Sequence, residues 1–127
     1  MTPEAAKYLQ KAAEDLTEAQ QIAAMGLAKA AARSAYYAAF HAAEAYIVEK
    51  TGRVAKTHSG VRAEFSRLAK DDPLIARGMM TFLPLAYRYK EIGDYSVDPD
   101  VVITMPQAQF AVASAKEFVA GVRTAVT

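Results

Sequence analysis

The stretch SAYYAAFHAAEAY, Ser34 to Tyr46, sets three tyrosines, a phenylalanine, a histidine and a glutamate into a run of alanines that contains neither glycine nor proline. Alanine is the strongest intrinsic helix former, and nothing in the stretch breaks a helix. At 100° per residue, Arg33, Tyr37, Phe40 and Glu44 then fall on one side, with His41 one turn beyond Tyr37. The alanines at 35, 38, 39, 42, 43 and 45 cover much of the remaining surface, so neighbouring helices can pack at the low end of the usual ~8–10 Å spacing. The polar aromatics are expected where two or more helices converge. Their face has two readings: tyrosine rings fill a core while their hydroxyls find partners at its margin, or Arg33, Tyr37, His41 and Glu44 compose a site.

Working outward, 28 of the 127 residues are alanine, which biases most of the chain toward helix and leaves strands little support. A first helix starts at Thr2-Pro3-Glu4, a capping residue followed by a proline suited to the first turn and an acid that complements the helix dipole. Ala5, Tyr8, Leu9, Ala12, Leu16, Ala19, Ile22 and Ala23 carry its apolar stripe as far as Met25-Gly26. The second helix is expected from about Ala28 to Glu49, ending at Thr51-Gly52. A short third one, capped by Ser59 or Thr57, presents Val61, Phe65 and Leu68, and Asp71-Asp72-Pro73 separates it from a fourth over Leu74 to Ile92. Pro84 inside that fourth helix is expected to kink or split it, and GDYSVDPDVVI, from Gly93, reads as a loop. Thr104 and Gln107 have capping-box spacing at the head of a last helix, with Phe110, Ala113, Phe118 and Val122 on its apolar side. The expected fold is an all-α bundle of four principal helices and one short one, a single domain over residues 1–127.

Composition narrows the function. Fifteen Lys and Arg against fourteen Asp and Glu leave a net charge of +1, which makes no bulk electrostatic case for nucleic acid or anionic membrane. The absence of cysteine removes disulfides, thiol nucleophiles and cysteine metal sites, and suits a cytoplasmic location. Glu4, Glu14 and Asp15 interrupt any signal-peptide run, and no segment approaches the ~20 apolar residues of a membrane span. His41 and His58 fall on different elements without HExxH, EF-hand or Walker spacing, so no metal or other cofactor is expected.

Two further segments carry chemistry-bearing residues. In AKTHSGV, Lys56, His58 and Ser59 stand at a loop-to-helix entry, where free amides and the dipole can hold an anion, or where Ser59 simply caps the helix. In AYRYKEIGDYSV, Arg88 and Lys90 precede Asp94 and Tyr95 at a helix end, with Gly93 letting the chain turn; Asp94 pairing with one of the cations is the structural alternative.

The succession YYAAFHAAEA, KTHSGV, AYRYKEIGDY resembles a branch of the HEPN family in which YYAxFHAAxA precedes THSGV and a late KxxADY. The resemblance implies an up-and-down helical bundle, commonly a homodimer, often produced with a minimal nucleotidyltransferase as a toxin–antitoxin-like pair. Active members of the family are metal-independent endoribonucleases with an Arg, four to six residues, then a His. Here Asp94 stands at the matching distance after Arg88. An aspartate does not exchange a proton near neutral pH as imidazole does, and its charge repels phosphate.

Two functions follow as expectations. The first is a module that binds a nucleotidyltransferase or a nucleotide-like ligand, with Tyr37, His41, Lys90 and Asp94 near a polar cleft. The second is an endoribonuclease in which Arg33, Arg88 or Lys90 holds phosphate and a displaced histidine, His41 or His58, assists the ribose 2′-hydroxyl, with RNA as partner. His41, Arg88, Lys90, Asp94 and Tyr95 are the candidate catalytic residues; Arg33, Tyr37, Lys56, His58 and Ser59 are the candidate binding residues. Alanine-rich helices bury little apolar area, so a homodimer is expected, paired through the final helix or the first.

Overall fold

Five helices carry the chain: α1 (Pro3–Ala24), α2 (Ala28–Thr51), α3 (His58–Ala69), α4 (Arg77–Tyr95) and α5 (Met105–Val126). The computed structural model describes every residue from Met1 to Thr127. Helix α2 lies at the centre and packs against all four others, while α1 and α4 each also meet α5. The reason is in its side chains. Ala31, Ala32, Ala35, Ala38, Ala39, Ala42, Ala43 and Ala45 are all buried, on several sides of α2, so neighbours close on it from more than one direction. Tyr36 and Tyr46 are enclosed as well, and with Leu9, Val61, Phe65, Leu83 and Phe118 they make one continuous core.

The caps hold the helix ends where sequence placed them. Thr2 accepts from Ala5 N at 3.1 Å, Thr57 from Gly60 N at 2.9 Å, and Thr104 from Gln107 N at 3.3 Å, with the Gln107 carboxamide returning to Thr104 N at 2.9 Å. Gly26 and Gly52 stop α1 and α2 at left-handed φ of 77° and 71°. The cap of α3 is thus Thr57, and Ser59 lies exposed within the first turn.

Helix α4 departs from expectation at both ends and in the middle. Residues 72–75 form a turn, closed by Ile75 N on the Asp72 carbonyl (3.1 Å) and by Leu74 N on the Asp72 carboxylate (2.9 Å), so the helix starts at Arg77. The Tyr46 hydroxyl donates to that same carboxylate at 2.6 Å and fastens the turn to α2. Pro84 does not split α4. It sits on an exposed position, where water can satisfy the carbonyl that loses its backbone donor. The helix then continues through Gly93 and Asp94 to Tyr95, so the segment read as the start of a loop is its last turn.

In α5 the buried stripe is Ala108, Ala111, Val112, Ala115, Phe118, Val119 and Val122. Phe110 and Ala113, expected on it, lie outside, because the contact face follows the small residues that let α5 approach α2. No helix is long and apolar enough to cross a membrane.

Candidate functional site

Lys90 and Asp94 are one turn apart on α4 and share a face. The start of α2 runs antiparallel beside this last turn, and Gly93 makes the approach feasible: Lys29 Cγ lies 2.8 Å from where a Cβ on residue 93 would stand. Across the seam, Asp94 Oδ1 meets Arg33 Nε at 3.3 Å and Asp94 Oδ2 meets Lys90 Nζ at 3.1 Å. Lys90 is only 10% exposed along its side chain and Arg33 is 52% exposed, so one cation is enclosed and the other reaches solvent. The contact with Asp94 raises the Lys90 ammonium above its usual range, against burial acting the other way. The Arg33 guanidinium carbon lies 5.1 Å from the Tyr37 ring centre, and Lys90 Nζ 5.6 Å from that of the exposed Tyr95.

From Tyr37 the site extends along α2 to His41, whose ring centre is 6.0 Å away. His41 Nδ1 is 2.6 Å from Asp15 Oδ2 on α1, and its Nε2 is 3.8 Å from Glu44. Ser34 donates to the Asp15 carbonyl at 2.9 Å, a second tie between the two helices. Lys11, Asp15, Arg33, Ser34, Tyr37 and His41 line an open groove of about 530 Å³ here. Beneath it, burial pushes the Glu44 carboxyl up to about 7, with Lys11 opposing.

On the other side of Tyr37 lies an aromatic cluster. His58, the first residue of α3, stacks on Phe40 at 4.6 Å between ring centres, and its Nδ1 is 2.5 Å from the Tyr36 hydroxyl. Burial, then the Lys90 and Arg62 cations, hold His58 below its usual range, with Glu91 opposing. Arg62 lies over the Tyr87 ring at 3.9 Å, and the Tyr87 hydroxyl donates to Glu91.

The fold therefore gathers Arg33, Tyr37, His41, Lys90, Asp94 and Tyr95 into one seam, with His58 behind Tyr37 at 6.0 Å between ring centres. It does not gather Arg88, Lys56 or Ser59. Arg88 is exposed and precedes Lys90 by two residues, which puts it about 200° round the helix from it. Lys56 is exposed in a separate hollow with Arg53, Gly60 and Glu64. Ser59 borders another with Arg62, Ser66, Met80 and Pro84. Sequence reading missed Asp15, Tyr36, Arg62, Tyr87 and Glu91. The i, i+4 spacings of His58 with Arg62 and of Tyr87 with Glu91 were the available signals; Asp15 had none, since its partner is 26 residues away. No group of three or more His, Asp or Glu side chains is arranged to hold a metal ion.

The chemistry this arrangement supports is anion binding. Two cations from different helices converge on one carboxylate, beside an aromatic ring and an open groove whose lining also carries Asp15 and Glu18.

No curated protein matches the chain. The fold is shared with the crystal structure of TT1696 from Thermus thermophilus, at a TM-score of 0.80 and 21% identity, with 97% of this chain and 98% of that one covered. A sequence profile described as HEPN domain matches residues 5–124. Helical bundle, motif order and profile agree, and the chain belongs to the HEPN domain family.

Proposed function

We propose that this protein is a HEPN binding module of a toxin–antitoxin-type or nucleotide-related pair, taking a nucleotide-like ligand, free or held by a minimal nucleotidyltransferase, and not cleaving RNA. One observation carries the reading: Asp94, where active relatives have their histidine, pairs with both Arg33 and Lys90. An anion there opposes entry of a phosphodiester and offers no proton exchange near neutral pH. The groove along Tyr37 and His41 gives a base a ring to stack on, with Arg33 at its mouth. Two chains are expected to pair through α5, where Phe110 stands 53% exposed.

The test is incubation of total cellular RNA with purified protein in EDTA, alongside a Lys90→Ala, Asp94→Ala double variant, and titration of the wild type with ADP. Intact RNA in both samples and measurable ADP binding are expected. An endoribonuclease remains the second reading because His58 is a neutral imidazole near Lys90. Metal-independent cleavage by the wild type that is lost in His58→Ala, with the fold intact by circular dichroism, would replace the binding reading with that one.

A further inference from the structure

We infer that Arg33 and Lys90 form a phosphate-binding pair which Asp94 occupies as an internal anion, and that a phosphate ester carrying two or more negative charges displaces it. The inference rests on the nucleotide-type reading for the identity of the ligand, but not for the behaviour of the pair.

Three features separate Asp94 from a salt bridge that merely holds the fold. First, it lies in the last turn of α4, where the helix dipole is negative and a carboxylate is disfavoured; that turn carries no basic residue of its own. Its two cationic contacts, one from α2 and one from a turn earlier, are what offset this placement. Second, the contact with Arg33 is loose. Arg67 grips Glu64 through both Nε and Nη2, whereas the nearest approach of Arg33 to Asp94 is through Nε at 3.3 Å. Third, the two cations share one carboxylate as their direct partner, while Glu91, which keeps its charge beside the Tyr87 hydroxyl, acts on Lys90 from farther off. A dianion brings more negative charge to Arg33 and Lys90 than the single Asp94 carboxylate does.

Access runs through Arg33. Arg33 is half exposed and forms part of the wall of the α1–α2 groove, so a ligand can meet the guanidinium before Asp94 has moved. Asp94 is one residue from the end of α4, where only Ser96 N on the Ile92 carbonyl (3.0 Å) closes the helix, so its release disturbs a single turn.

Calorimetric titration with inorganic pyrophosphate and with ADP, on wild type, Asp94→Asn and Arg33→Ala at one low ionic strength, tests this. Asp94→Asn is expected to bind pyrophosphate at least fivefold more tightly than wild type, and Arg33→Ala to lose binding of both ligands. Unchanged or weaker pyrophosphate binding by Asp94→Asn overturns the inference; should that variant lose helix content, Asp94→Ser decides on the same criterion. Pyrophosphate binding that survives Arg33→Ala also overturns it, because the anion is then held elsewhere. ADP bound equally by wild type and Asp94→Asn removes the internal anion and leaves the nucleotide reading standing. Pyrophosphate tightened in Asp94→Asn, with ADP bound by none of the proteins, keeps the internal anion and removes the nucleotide reading.

Discussion

Glu44 is a carboxyl enclosed on α2 beneath the groove, with Lys11 of α1 and His41 as its nearest ionic neighbours. Folded, it keeps its proton up to about pH 7, whereas an unfolded glutamate releases it near 4.5. Between these values the folded chain binds more protons, so the contribution of Glu44 is fully present below pH 4.5 and is lost as pH rises through about 7. His58 acts in the opposite sense. Its depressed folded value makes neutral His58 stabilising above pH 6.5, a contribution lost as pH falls through the lower folded value. Replacing Glu44 by Gln isolates the first effect: the variant should be more stable than wild type at pH 8, by up to about 3 kcal/mol, and match it near pH 4. Parallel thermal-melt profiles of the two proteins across that range would remove the shift. Single residues of this kind were only partly legible. Glu44 and His41 were visible as neighbours on a helix face, but the burial of Glu44 and the Asp15 partner of His41 come from α1.

At the scale of the helix, local signals did most of the work. Thr104 and Gln107 form both bonds of the capping box foreseen from their spacing. Thr104→Ala should therefore cost about 1 kcal/mol, a fall in Tm of roughly 3–5 °C in a calorimetric scan. Helix α4 is where local signals misled, since Pro84 read as a kink or a split and Gly93 as the start of a loop, and the helix runs through both. Packing against α2 and α5 carries the helix across its proline, and Gly93 is there for the Lys29 stem. With the helix continuous on both sides, Pro84→Ala restores a backbone donor and removes a ring clash. It should raise stability by about 1 kcal/mol or more in urea unfolding, with the slope unchanged.

Across the whole molecule, the alanine faces of α2 set how closely the bundle closes. Ala42 is fully buried, so Ala42→Leu should overpack the core and cost about 1–3 kcal/mol in denaturant unfolding, while the same change at exposed Ala113 on α5 should cost far less. Equal losses at the two positions would show that α2 is not the packing centre. Sequence alone determined the helices, most of their caps and the order of three motifs, because helix propensity, capping and face periodicity act over four or five residues. Tertiary structure decided which motif residues meet. Asp94 is paired with Arg33 from 61 positions away, His41 with Asp15, and His58 with Tyr36, while Arg88, six residues before Asp94, turns to solvent. Such pairings depend on the rotation and approach of whole helices, which the packing of buried alanines and one glycine governs and which no short window of sequence contains.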